Sequence, residues 1–160
     1  MAHNEPNVTN VADALQAATA DTPLFSLDGT ERQAKCTKCY DADSVHLVFP
    51  YGDSMHRWNC RLLGIDSAEI RTKDEKEKVH AKRARDYLRS LILDKVITIH
   101  CGTFDKYGRL LGTLYCDGVN INEHLIEQGH AYAYTGGTKR KFREWSGIGE
   151  DSPIEEDTSN

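Results

Sequence analysis

Val45-His46-Leu47-Val48-Phe49-Pro50-Tyr51-Gly52-Asp53-Ser54-Met55 is the stretch whose reading decides the fold. Val45, Leu47 and Phe49 alternate with His46 and Val48, the period-two pattern of a strand with one buried face. Pro50 to Asp53 supplies a turn, and Met55 to Ile65 continues as a second extended run, so the pair reads as a hairpin followed by extension. Upstream, strand character sets in at Ala34, and Cys36, Thr37, Cys39 and Tyr40 lead into a turn at Asp41 to Asp43. Downstream, Val96 to Cys101 is a β-branched strand, Arg109 to Tyr115 is another, and Asp117-Gly118 turns the chain out of it.

Between the third and fourth strands, Ser67 to Glu77 reads as a charged loop and Lys78 to Leu93 as a helix. Ala84, Tyr87, Leu88 and Leu91 fall on one face, with Lys82, Arg83, Arg85 and Arg89 on the other. Asn122 to Gln128 is a short helix ended by Gly129. Ala131 to Tyr134 is extended, Gly136-Gly137 breaks it, and Lys139 to Trp145 adds a helical turn. Near the start, Thr9 or Asn10 caps a helix running to Ala20, with Val11, Ala14, Leu15 and Ala18 on one face, and Pro23 to Gly29 is a linker. Five short strands with one helix after the third suit a small closed barrel, an order that several folds share. The expected organisation is an acidic, flexible segment over 1–32, a barrel domain over 33–145 and an acidic, disordered tail over 146–160.

The 160 residues are 39% hydrophobic, enough for one compact domain. Apolar runs span only a few residues, which excludes a membrane-crossing helix, so no membrane partner is expected. The first twenty residues carry no basic region followed by an apolar stretch, and hence no secretory signal. The five cysteines are then expected to stay reduced, in a cytoplasmic or nuclear protein. The net charge of −5 is unevenly spread. Residues 33–143 hold 19 basic against 14 acidic residues, a net +5, while the flanks hold 1 basic and 11 acidic, a net −10. A mildly basic body suits a polyanionic substrate, and the acidic flanks do not.

The charged residues of the body fall in a telling order. Asp43 sits in Asp41-Ala42-Asp43-Ser44. Arg61, Asp66 and Glu69 sit in Arg61-Leu62-Leu63-Gly64-Ile65-Asp66-Ser67-Ala68-Glu69, and Arg109 closes Asp105-Lys106-Tyr107-Gly108-Arg109. Three carboxylates can hold a hard cation through oxygen, and two arginines can clamp a phosphate. Together they match the needs of metal-assisted phosphodiester cleavage. On these motifs the chain resembles the staphylococcal nuclease (thermonuclease-like) family over about residues 34 to 143.

The resemblance implies a mainly β, α+β fold: an OB-fold five-stranded barrel with two to three helices. It implies Ca2+ held by Asp43, Asp66 and the main-chain carbonyl of Ser67, a water-activating Glu69, and phosphate-binding Arg61 and Arg109. Lys106 and Tyr107 match contacts to a terminal phosphate more loosely. Tyr132 or Tyr134 would stack on a base or bond a phosphate, and the spacing leaves both open, with one expected in the core. The implied partners are DNA and RNA, single strands preferred, and the implied state is a monomer. The implied products carry 3′-phosphate and 5′-hydroxyl ends. Three positions depart from the pattern: Ala42 stands for Gly, Ser67 for Thr and Ala68 for Pro, the last expected to loosen the loop that carries Glu69.

Blander readings compete at each position. Asp41 or Asp53 alone is a turn residue, Glu69 shares its loop with Lys73, Asp74 and Glu75, and a lone arginine is usually a surface ion pair. Arg61 resists that reading, because an arginine opening the apolar run Leu62-Leu63-Gly64-Ile65 needs an anionic partner. Cys36 and Cys39 form a C-x-x-C without a second ligand pair and are read as apolar strand positions. Lys139-Arg140-Lys141 with Arg143 is read as a phosphate-facing basic edge. The alternative function is a non-catalytic nucleic-acid-binding or protein-interaction module of the same fold. An aromatic cage for methylated side chains would need an aromatic cluster outside the core, and the flanks offer only Phe25 and Trp145.

Overall fold

The structure is a computed structural model that describes residues 8–149 and 151–153. In chain order come α1 (Val8–Ala17), β1 (Glu31–Cys39), β2 (Ser44–Tyr51), β3 (Ser54–Leu62), β4 (Ile65–Ser67), α2 (Glu75–Ile92), β5 (Val96–Phe104), β6 (Leu110–Cys116), β7 (Val119–Asn120), α3 (Ile121–Glu127), β8 (Ala131–Ala133) and α4 (Phe142–Ser146). β1, β2 and β3 form an antiparallel meander, β5 pairs with the other edge of β1, and β6 pairs with β5. β6 then runs parallel to β3, Cys60 facing Leu110 and Leu62 facing Gly112, which closes the five-stranded barrel. The α+β class and the OB-type barrel expected from the sequence are both present. The described residues hold four helices where two to three were expected, because both α1 and the one-turn α4 form.

The barrel interior follows from alternation. Val45, Leu47 and Phe49 point inward and are almost fully buried, as are Ile97, Ile99 and Cys101 of β5 and Leu110 and Leu114 of β6. Leu88 and Ile92 bring α2 onto this core. Cys36 and Cys39 lie side by side within it, both fully buried, because a bulge in β1 between Cys36 and Lys38 turns residues three apart toward the same face. At Gly112 an added Cβ would come within 2.6 Å of Ile99 Cδ1, so only glycine lets β5 and β6 approach this closely.

Several boundaries differ from the sequence reading. α2 starts at Glu75 rather than Lys78, since Asp74 caps it by accepting from the Lys76 and Glu77 amides, and Glu75 and Glu77 favour the first turn. β3 stops at Leu62 instead of Ile65. Gly64, at φ +81°, breaks the strand there, and Ile65–Ser67 pairs with β8 as a separate ribbon. Residues 27–32, assigned from sequence to a flexible segment, belong to the barrel. Leu27 is fully buried, Gly29 N–H bonds Cys101 C=O, and Cys101 N–H bonds Thr30 C=O. At the other end, Ile148 packs beside Phe142, Ala68 and Ala81, so residues 146–149 are attached to the body rather than part of a disordered tail. Most of the acidic tail, from residue 154 on, lies outside the described residues. The expected apolar strip on α1 finds no cover: its residues 10–17 are exposed, Leu15 at 70%.

One buried side chain ties the site-bearing turns to the barrel. Asn122, 3% exposed on α3, accepts from Leu114 N–H and donates to the carbonyls of Leu63 and Gly112. Asn122→Ala leaves Leu114 N–H and the Leu63 carbonyl without this partner, while the Gly112 carbonyl keeps the Leu63 amide, and each orphaned buried group costs about 1–3 kcal/mol. Urea denaturation is expected to show a loss of about 3 kcal/mol for this variant, larger than a simple volume change at this site would give.

Candidate active site

The candidate site is assembled where three chain segments meet at one end of the barrel. Asp43 comes from the β1–β2 turn, Arg61 from the end of β3, and Asp66 and Ser67 from β4. Arg61 is 9% exposed, and its guanidinium is fully engaged on one side. Nη1 donates to the Leu62 and Ile65 carbonyls at 3.2 and 3.0 Å and lies 3.4 Å from Asp43 Oδ2, while Nη2 donates to Asp66 Oδ1 at 3.2 Å. Arg61 therefore has the anionic partners its place in the sequence demands, and there are two of them.

Both aspartates are buried, at 6% and 3% exposure, and each is held by several donors. Asp43 accepts from the Ser44 hydroxyl at 2.9 Å. Burial disfavours its charge, but the hydrogen bond with Asp41, the Arg61 guanidinium and Ser44 outweigh burial and hold its pKa below the ordinary carboxylate value. Asp41 goes the other way. Burial, then the hydrogen bond and charge of Asp43, push it up to about 8, so of the two neighbours Asp43 is the one whose charge is favoured. Asp66 Oδ2 accepts from the Tyr132 hydroxyl at 2.7 Å, reached across the β4–β8 ribbon in which the two residues are directly paired.

A cleft of about 1050 Å³ opens over this cluster, lined by Asp43, Arg61, Ser67, Glu69, Lys106, Tyr107, Arg109 and Tyr134 among others. Arg109 follows the Asp105–Gly108 turn. Its Nε donates to Asp105 Oδ2 at 2.8 Å and its guanidinium lies 5.4 Å from the Tyr107 ring centre. Tyr107 is 72% exposed. Glu69 is exposed at the cleft rim, with its amide held by Glu77 Oε1. Packing of Ala68 against Ala81 and Phe142 fixes the loop at the position where a proline is absent. The two tyrosines left open by the sequence take different places. Tyr134 lines the cleft and donates to the Gly137 carbonyl, whereas Tyr132 is 5% exposed and its hydroxyl grips Asp66.

The donor set fits a hard cation of modest protein ligation. Asp43 and Asp66 share Arg61, and Ser67 Oγ is buried at the cleft with no hydrogen-bond partner among the described residues. Among the described residues no three His, Cys, Asp or Glu side chains converge to hold a metal ion by themselves. A cation on the two aspartates would therefore complete its shell with the Ser67 carbonyl and water, as oxygen-loving Ca2+ commonly does.

One residue of the site has no signal in the motifs. Lys139, read from sequence as part of a basic edge, places Nζ 3.5 Å from Asp66 Oδ1 and 3.4 Å from Glu69 Oε1. It is some seventy residues away in sequence, and only the return of the chain after β8 brings it in.

The raised Asp41 carboxyl has a consequence for stability. Between the ordinary carboxylate pKa of 3.8 and about 8, the folded state holds a proton that the unfolded state has released, so this group makes stability fall as pH rises through that window. Asp41→Asn carries no such charge. In buffers with chelator it should melt with wild type near pH 4 and above wild type at pH 8.5, as followed by circular dichroism.

Comparison with known proteins agrees with this geometry. The family described as "Staphylococcal nuclease homologue" matches residues 59–146, more than half of the chain, and the match includes Arg61, Asp66, Glu69 and Arg109. An "Uncharacterized endonuclease" of Escherichia coli is 29% identical over 101 residues, covering 62% of this chain and 60% of its own length. A "Probable staphylococcal-like nuclease" of Oryza sativa subsp. japonica is 29% identical over 127 residues, 79% of this chain but 30% of its own. A "Staphylococcal-like nuclease" of Arabidopsis thaliana is 32% identical over 84 residues, 52% of this chain and 24% of its own. The chain thus spans less than two thirds of the length of these relatives. With the barrel, the paired aspartates and the two cleft arginines in place, the chain belongs to the staphylococcal nuclease family.

Proposed function

We propose that the chain is a calcium-dependent nuclease that hydrolyses phosphodiester bonds of DNA and RNA with little sequence preference, acts as a monomer, and leaves 3′-phosphate ends. The observation that carries this reading is the buried Asp43–Arg61–Asp66 network beneath a cleft that also holds Glu69 and Arg109. A bound calcium ion would supply Lewis-acid polarisation at phosphorus. Asp43, Asp66 and the Ser67 carbonyl would hold it.

The other roles fall to this chain's own side chains. Glu69 sits at the exposed rim, where its carboxylate orients a water or accepts its proton. Arg109 offers Nη donors to the non-bridging oxygens, where charge builds up in the transition state. Arg61 contributes mainly through the electrostatic field of a guanidinium already bound to two carboxylates. Tyr134 gives a flat face to an unstacked base, which favours single strands, while Lys106 and Arg109 lie over the Tyr107 ring and make that corner a place for a terminal phosphate. Contacts of this kind go to backbone and ring faces, hence the weak sequence preference.

The direct test is cleavage of single-stranded DNA and of plasmid. Cutting is expected with added calcium, little with magnesium, and none with chelator; full activity in magnesium with calcium removed would overturn the metal assignment. Arg109→Ala is expected to lower the rate by about 10²–10³, the range for removing one donor to transition-state charge, with an unchanged melting temperature because the residue sits on a turn. A near wild-type rate for that variant would move the phosphate clamp elsewhere.

A further inference from the structure

We propose that Lys139 is an internal competitor for the cation site: its ammonium lies on an Asp66 oxygen that a divalent cation would take, and so sets this chain's cation affinity. The inference rests on the reading of Asp43 and Asp66 as cation ligands.

Its placement is built rather than incidental. The strap that carries Lys139 is fastened on both sides. Before it, the Tyr134 hydroxyl donates to the Gly137 carbonyl at 2.7 Å; after it, Arg140 N–H donates to the Tyr132 hydroxyl at 3.0 Å. Two residues further on, Phe142 is buried against Ala68 and Ala81. The Tyr132 hydroxyl that holds the strap is the one that donates to Asp66, so the strap and the carboxylate share an anchor.

Asp66 shows why the lysine, and not another donor, is the displaceable partner. Among the described residues its oxygens meet the cationic and hydroxyl donors Arg61, Tyr132 and Lys139. Arg61 and Tyr132 are buried and hold further partners, whereas the Lys139 side chain is 52% exposed and, among the described residues, pairs with Asp66 and Glu69. Oδ1 carries both Arg61 Nη2 and Lys139 Nζ, and of these two donors only the half-exposed ammonium can swing into water to make room for a cation. Charge points the same way. Asp43, Asp66 and Glu69 against Arg61 and Lys139 leave the cluster at −1, and without Lys139 it would be −2, the complement of a dication.

The experiment is calcium titration of the full chain by isothermal calorimetry without nucleic acid, for wild type, Lys139→Gln, Lys139→Arg and Asp66→Asn. Lys139→Gln is expected to bind calcium tighter by roughly 5-fold or more, since the ion pair to Asp66 that it removes, exposed on the lysine side, accounts for about a factor of five. Lys139→Arg is expected to stay near wild type and Asp66→Asn to lose binding. Unchanged or weaker binding by Lys139→Gln, with wild type binding and Asp66→Asn not, would overturn the proposal and leave the metal site standing. Calcium binding by none of the four, or binding that Asp66→Asn retains, would overturn the metal reading and the proposal with it. Melting temperatures with and without calcium check that each variant is folded.

Discussion

A buried guanidinium between two buried carboxylates is the constraint on which the site end of this barrel depends. Arg61 holds Asp43 from the β1–β2 turn and Asp66 from β4, and also binds the Leu62 and Ile65 carbonyls, so one side chain sets the path of three segments. Buried ions are costly to desolvate, and a pair of this kind adds little net stability. Removing one partner is far worse, because it strands the others without countercharge. The network therefore acts as a geometric lock: its members can be kept together or replaced together, but not loosened one at a time.

The lock is supported from both sides. Asn122 ties the Leu63 carbonyl, immediately after the β3 end, to β6 at the seam where the barrel closes. Tyr132 approaches from the β4–β8 ribbon and carries the hydrogen bond to Asp66 on to the backbone of the C-terminal strap. The strap, packed through Phe142, also covers the loop at Ala68, so the stiffness that a proline would have given comes from tertiary packing. Residues after β8 thus belong to the site as much as those of the barrel do.

The aromatic residues outside the site have a different task. Phe25 meets Tyr51 edge-on at 5.1 Å and Phe104 at 6.0 Å, and Trp58 stacks on Phe49 at 4.6 Å. Rings this close fill one another's faces and seal the barrel. The arrangement draws the segment before β1 into the fold, and its rings are spent on each other instead of framing a cage for a cationic guest.

The sequence by itself determined the barrel strands and the need of Arg61 for anionic partners. Val45, Leu47 and Phe49 had to face one way because strand side chains alternate, and Arg61 needed anions because it opened an apolar run. Those are local rules, and they held. Boundaries failed where a local signal was overridden: a capped helix began inside what read as a charged loop, and Leu27 was buried from what read as a linker. Only the tertiary structure decided which tyrosine reaches the cleft: Tyr132, inside β8, is covered and bonded to Asp66, whereas Tyr134, one residue past the strand, lines the cleft. Only it brought Lys139 onto Asp66 and Glu69. A contact across some seventy residues leaves no period or motif in the chain; it exists because the strap is fastened on both sides of that lysine.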